Sequence, residues 1–258
     1  MNGVTNDRIS VIIITLNEEK NIKRCLDSVV PVADEIIVID SFSSDRTREI
    51  CDEYGVQFVQ NKWPGINAQR NFSLNFSKYD YVLSLDADEA LSDDLCSELK
   101  RLKSDGFTSD GYVFNRMTNY CGKWIRHSGW YPDSKLRLFN KKRGSYQGTD
   151  PHDEIVMQEG SEVESVRKDI LHYSYYSIEE HLDQINKFTT VSAREKMKRG
   201  KSMNTLVHLI FYPTWTFIRV YFFKLGILDG YYGFVLSVLD GYYRFLKYVK
   251  LKQLILTR

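Results

Sequence analysis

Tyr81-Val82-Leu83-Ser84-Leu85-Asp86-Ala87-Asp88-Glu89 is the stretch on which the fold turns. A run of apolar and β-prone residues ends abruptly in three carboxylates, as a buried strand does when it delivers acids to a cleft. Side chains alternate along an extended chain, so Asp86 and Asp88 are expected to point the same way and Ala87 away. Two converging carboxylates repel each other unless a cation or a proton holds them together. An oxygen-only pair suits Mg2+ or Mn2+ shared with phosphate oxygens. The same residues also fit a strand followed by the acidic start of a helix.

Working outward, strands are expected at 9–15, 35–40, 56–59 and 81–85. Helices are expected at 18–30 with Asn17 as N-cap, 45–54 closed by Gly55, 66–77, and 91–102 with Ser92 as cap. Ile22, Leu26, Val29 and Val30 form the apolar stripe of the first helix. Strict alternation of strand and helix predicts an α/β fold with a parallel sheet and right-handed crossovers. Ligands of such sheets bind beyond the carboxyl ends of the strands. Those ends are the polar segments 15–17, 40–43 and 86–89, and a nucleotide is their natural occupant. Neither Gly-x-Gly-x-x-Gly nor Gly-x-x-x-x-Gly-Lys-Ser/Thr is present, so metal and side chains must hold the phosphates.

From Asp110 the pattern changes. Strands with alternating polarity are expected at 111–116 and 134–139. The segment 120–133 between them holds Trp124, His127, Trp130 and Tyr131. Such aromatic faces suit sugar C–H patches or the covering of a core. The segment 148–154 reads as a polar loop dense in proton-transfer groups. Asp153 or Glu154 is the candidate base, and His152 a neighbour or a further metal or phosphate contact. Arg137 and Arg70 are candidates to add positive charge near a diphosphate, against the bland reading of surface charges. A strand is expected at 163–172, then a helix at 177–199 capped by Ser177, a break at Gly200 and Ser202, and apolar helices at 205–225 and 233–256. In the last of these, Asp240, Arg244, Lys247 and Lys250 share one side. A narrow charged stripe beside a wide apolar face fits a helix lying in a membrane interface, or buried helices of a homo-oligomer.

Lys plus Arg (35) nearly balance Asp plus Glu (34), so no global field argues for nucleic acid. Residues 194–258 nevertheless carry twelve basic against three acidic side chains, and the preceding residues 23 against 31. A basic, aromatic tail on an acidic body is expected to meet an anionic surface. The four cysteines are scattered, which fits reduced thiols in the cytosol. No apolar leader follows Met1, and no uninterrupted apolar stretch reaches the ~18 residues of a spanning helix.

Residues 11–19, 37–47, Ala68-Gln69-Arg70-Asn71 and 85–89, in this order and spacing, resemble the family 2 inverting glycosyltransferases. Trp124, Trp130-Tyr131-Pro132-Asp133, Arg137-Leu138-Phe139, His152-Asp153 and the tail are similar to the bacterial lipopolysaccharide core β-1,4-glucosyltransferase-like subgroup. The resemblance implies a GT-A fold, a Rossmann-like mostly parallel sheet flanked by helices. It implies a catalytic domain over 1–176, with a nucleotide-sugar half at 9–105 and an acceptor half at 106–176. A helical membrane-associating region would follow at 177–258. It implies a UDP-sugar donor contacted by Thr15, Asn17, Glu18, Asp40, Ser43, Arg70, Asp86, Ala87 and Asp88, with Asp40 accepting the uracil N–H. Asp86 and Asp88 would bind Mg2+ or Mn2+, and Asp153 would be the base, with Glu154 adjacent. Trp124, Trp130, Tyr131, Arg137 and His152 would serve acceptor or phosphate. The chain departs from the pattern at Asp40-Ser41, where many members have two acids, and at Asp153, where many of the subgroup have Glu. The expected activity is hexose transfer, of glucose by resemblance, to a glycolipid at the cytoplasmic face of the inner (plasma) membrane. Transfer to a polyprenyl phosphate and a non-catalytic nucleotide-sugar binder are the other readings.

Overall fold

The computed structural model of the protein describes residues 7–149, 152–199 and 204–257, with the side chains of Thr149, His152 and Asp153 outside that description. Gly200 and Ser202, named above, and Asp150 and Pro151 of the segment 148–154 also lie outside it.

The β-branched run Ile9–Thr15 forms β1, buried along its whole length. It pairs in parallel with β2 (Glu35–Asp40) on one side and β4 (Tyr81–Asp86) on the other; β3 (Gln57–Gln60) extends the sheet beyond β2. Helices α1 (Ile22–Val29), α2 (Thr47–Glu53), α3 (Ile66–Leu74) and α4 (Asp93–Asp105) intervene, the last capped by Ser92, which accepts from the Leu95 N–H. Between β4 and α4 lies the three-residue β5 (Glu89–Leu91). β6 (Gly111–Tyr120), β7 (Lys123–Trp124), β8 (Asp133–Asn140) and β11 (Val163–Tyr175) complete a sheet of order β3-β2-β1-β4-β8-β6-β11-β5, with β7 on β6. The parallel expectation holds for β1 to β4; β8 joins β4 antiparallel, as β6 joins β8 and β5 joins β11. One apolar cluster joins β1 to α1 and α4 through Val11, Ile13, Leu26, Leu85 and Leu99. A second, around Ile12, Ile37 and Val82, packs beside Phe139 and Tyr146. Each buried aliphatic side chain contributes about 1.5–3 kcal/mol.

Several boundaries differ from those the sequence predicts. The first helix begins at Ile22, with Asn21 in the capping position. Asn17 sits at φ 56 instead, and its side chain accepts the Ser44 N–H from the neighbouring loop. A residue committed to a loop–loop bond does not cap its own helix. The segment 148–154 is not a loop throughout: β9 (Gly144–Thr149) and β10 (His152–Met157) form an antiparallel hairpin. The extended chain expected to align Asp86 with Asp88 stops at Asp86, because Ala87 and Asp88 form a turn. The alternative, an acidic helix start, also fails here: Glu89–Leu91 is a strand paired to Ile170–His172.

The chain forms two compact units, 1–116 with 133–172, and 117–132 with 173–258. Residues 117–132 thus group with the C-terminal helices. In the second unit, α5 (Ile178–Lys198) is capped by Ser177, which accepts from the Glu180 N–H. A bent helical segment with π-type turns spans Val207–Phe223, including α6 (Tyr212–Ile218), and α7 (Gly230–Leu256) follows. The charged side of α7 does not face outward. Lys247 is buried against Tyr243 and Tyr248, and Lys250 donates to Asn186, Thr189 and Thr190 of α5. It is a packing seam, since long cationic side chains satisfy the carbonyls and hydroxyls of a neighbouring helix while burying their stems. Among the described residues no single helix is long and apolar enough to cross a membrane. The segments 207–223 and 226–256 meet that criterion only together, bent by 70°.

Candidate active site

The strand ends are laced to one another before any ligand is considered. The Asn17 N–H donates to Ser43 Oγ (2.7 Å) and the Glu18 N–H to Thr47 Oγ1 (2.8 Å). Asp40 is fully buried and accepts from the Ser43 N–H and from Gln60 Nε2 (3.1 Å), which fixes the loop that carries Phe42. Phe42 holds a left-handed φ of 66° with its ring exposed. Thr15 is buried, and its hydroxyl has no partner among the described residues. Burial pushes the Glu18 carboxyl up to about 7. Its bond from Asn21 opposes this, and the nearby charges of Asp88, Asp45 and Asp86 add to it.

Asp86 closes β4 inside a cluster of opposite charges. Arg70 Nη2 donates to its Oδ1 at 2.7 Å and Arg137 Nη2 to its Oδ2 at 3.1 Å. The Glu89 side chain, 0% exposed, accepts from Arg137 (2.6 Å), Arg116 (3.4 Å) and the Asp86 N–H (3.0 Å). Arg116 is held in turn by its cross-strand partner Asp133 at 2.7 Å. Three guanidinium groups thus balance three carboxylates, so the buried charge is compensated. Burial alone would raise the Asp86 carboxyl, but Arg70 and Arg137 hold it well below the usual range. Arg137 reaches both acids because the register of β6 on β8 slips between Tyr112 and Val113: Tyr112 faces Leu138, Val113 faces Leu136, and Arg137 lies between. A bulge of this kind re-aims a side chain.

Asp88, one turn beyond, is separate from this cluster and has His172 Nε2 at 3.2 Å from Oδ2. Among the described residues no group of three or more His, Cys, Asp or Glu could hold a metal alone. Asp88 and His172 supply one oxygen and one nitrogen donor, and both carboxylate oxygens of Asp86 are taken by guanidinium groups. A carboxylate beside an imidazole is compatible with Mn2+ more readily than with Mg2+, and of the two acids Asp88, with His172, would be the one to hold such an ion.

A cavity of about 450 Å3 opens on the cluster, lined by Arg70, Asp86, Arg116, Lys135, Arg137, Tyr146 and Glu154 among others. Arg70, Arg116, Lys135 and Arg137 bring guanidinium and ammonium donors to this lining, while Asp86, Glu89 and Asp133 match their charge. Glu154, from β10, brings an exposed carboxylate to this lining. The side chains of Asp153 and His152 lie outside the described residues. Trp124, Trp130 and Tyr131 belong to the other compact unit. There Trp130 packs edge-on against Tyr120 and His181 beside an apolar cluster, and half-buried Trp124 packs edge-on against Tyr173. Sequence reasoning missed Arg116, Lys135 and Tyr146, and gave Glu89 and His172 no role. His172 carries no local signal, since it reaches Asp88 across 84 residues of chain.

Residues 10–224 match the family model described as Glycosyl transferase family 2. An uncharacterized glycosyltransferase of Rickettsia bellii is 31% identical over 99% of this chain and 90% of its own length. The lipopolysaccharide core biosynthesis glycosyltransferase LpsC of Rhizobium meliloti is 27% identical over 83% of this chain and 80% of its own. Among solved structures, a mannosyltransferase from Pyrobaculum calidifontis in complex with GDP-Man and Mn2+ superposes with TM-score 0.54 at 13% identity. That match covers 95% of this chain and 86% of the other, and it supports the GT-A-like fold.

Proposed function

The chain belongs to family 2 of the glycosyltransferases, and on that premise we propose that it transfers a hexose from a UDP-sugar to a sugar hydroxyl of a glycolipid, with inversion. The lipopolysaccharide core is the acceptor class favoured by the similarity to LpsC, and glucose is the favoured sugar. The observation that carries the reading is the arginine-lined cavity at the end of β4 with a carboxylate, Glu154, in its lining.

In this reading Arg70, Arg116, Arg137 and Lys135 hold the diphosphate and take up the charge that develops on it. Asp86 does not bind phosphate; it and Glu89 keep the guanidinium groups in place. Asp88 and His172 would hold a divalent cation, which supplies Lewis-acid charge to the departing UDP. The base comes from the adjacent pair Asp153 and Glu154, of which the Glu154 carboxylate lines the cavity. It takes the proton of the acceptor hydroxyl, which attacks the anomeric carbon from the side opposite the diphosphate. Asn17, Glu18, Asp40 and Ser43 form or support the nucleoside end of the site.

The helical unit associates with the cytoplasmic face of the inner membrane, supported by exposed Phe211, Trp215, Phe222 and Phe223. A panel of UDP-sugars titrated by calorimetry with Mn2+ tests the donor. Glu154→Gln should abolish turnover and leave UDP-sugar affinity within about twofold. Full activity in that variant together with loss in Asp153→Asn moves the base to Asp153. Absence of binding by every UDP-sugar overturns the donor assignment.

A further inference from the structure

The second unit contains an exposed apolar elbow that the reaction does not use. Between the helical segment ending at Phe223 and α7, the chain bends by 70°. Leu225 adopts a left-handed φ of 56°. Gly226 and Gly233 let the two arms touch: a Cβ on Gly233 would fall 1.8 Å from the Gly226 carbonyl oxygen. With the backbone packed this closely, the large side chains of the turn point outward. Phe223 is 71% exposed, Tyr231 69% and Leu228 62%, with Phe222, Leu225 and Ile227 also exposed. The exposed charges around them are cationic, and Asp240, near Lys224 and Arg219, is half-buried. Arg219, Lys224, Lys123 and Arg126 are exposed, whereas the acid of the turn, Asp229, is 2% exposed.

Asp229 is buried because it is a clamp. Its carboxylate accepts from the Arg126 N–H (3.1 Å), the His127 N–H (3.1 Å) and Ser128 Oγ (2.8 Å), and lies 3.2 Å from His127 Nδ1. Its carbonyl accepts from Lys123 Nζ at 2.7 Å, and the Ser128 N–H donates to the Lys224 carbonyl at 2.9 Å. The elbow and the segment that carries Trp124 and Trp130 are therefore joined by hydrogen bonds through Asp229 and Lys224.

We infer that the elbow 222–231 is the tip that enters an anionic bilayer, and that Asp229 bolts it to residues 123–130. Lipid contact then sets the position of that segment. The inference rests on the membrane reading above and deepens it by naming the surface and the device. The occupant follows from charge: a second copy of the chain would bring the same cations against these, whereas an anionic bilayer offers both hydrocarbon and counter-charge. Asp229 is a positioning residue in this scheme.

The test uses the full chain and vesicles of phosphatidylglycerol and phosphatidylethanolamine, with phosphatidylcholine vesicles as the neutral control. Wild type should float with the anionic vesicles and at least about tenfold less with the neutral ones. Phe223→Ser with Leu228→Ser, both at exposed positions, should weaken anionic binding at least about tenfold with an unchanged melting temperature. Hydrogen exchange at 123–130 should slow on vesicle binding in wild type. In Asp229→Asn, or the milder Ser128→Ala should the first not fold, vesicles should still bind while that slowing is lost. Flotation of the Phe223/Leu228 variant equal to wild type overturns the inference. So does a tip variant that converts an oligomer to a monomer by light scattering, since the surface then joins copies. Wild type that does not float at all defeats the membrane reading itself.

Discussion

Replacing Arg137 by Met removes one guanidinium from a buried cluster in which three arginines balance three carboxylates. Its side chain is 7% exposed and donates to Asp86 at 3.1 Å and Glu89 at 2.6 Å. Breaking a buried pair and leaving the partner charge costs about 3–5 kcal/mol. Arg70 remains on Asp86 at 2.7 Å and Arg116 on Glu89 at 3.4 Å, so the lower end, about 3 kcal/mol, is expected. The excess negative charge also sets the pH dependence. As pH falls, the native variant takes up a proton that the unfolded chain does not bind near neutrality. Native proton excess makes stability fall as pH rises, so the destabilisation should be largest at pH 8 and smaller at pH 5. Urea unfolding followed by circular dichroism at both pH values reads this directly, at a midpoint shift of about 1 M if m is about 3 kcal/mol/M. A variant within 1 kcal/mol of wild type at pH 8, on the order of RT, would refute charge compensation as the purpose of the cluster. A loss identical at both pH values would refute proton uptake.

Asp88→Ala should abolish the Mn2+-dependent part of UDP affinity; equal affinity with and without Mn2+ in wild type would remove the metal from the mechanism. Burial lowers His181 to about 4, so folding holds it neutral while the unfolded chain binds a proton below about 6.5. Its stabilisation is present above that value and is lost as pH falls toward 4, by at most about 3 kcal/mol. The melting temperature should drop over this window, and His181→Phe should flatten the slope; an unchanged slope would contradict it. Gly55→Ala meets no atom within 4 Å and should cost only the strain of φ 61°, about 1 kcal/mol. Gly233→Ala should cost about 3 kcal/mol or more, because its Cβ collides with the Gly226 carbonyl. Comparable melting temperatures for these two variants would mean that the elbow is loosely packed.

The parallel half of the fold was legible because its signals are local. β-branched runs mark the strands buried on both faces, and Ser92 and Gly55 punctuate the helices through short-range hydrogen bonds and φ angles. Order and spacing of the polar strand ends were enough to place Asp86 at a carboxyl end of the sheet. What surrounds Asp86 was not legible. Arg70, 16 residues away, and Arg137, 51 away, meet its two oxygens only after the sheet has formed, and a slipped register aims the second. The alternation that predicts Asp86 paired with Asp88 ends at a turn, and one acid goes to arginines while the other goes to His172. The tail shows the same limit from the other side. A helical wheel groups Lys247 and Lys250 on one face of α7, but α5 covers that face, and exposed apolar side chains run along α7 at Phe234, Val238, Tyr242 and Phe245 as well as at the elbow. Periodicity along a chain encodes which residues share a face; which distant element covers that face is decided by packing, and packing decided what each charge in this protein is for.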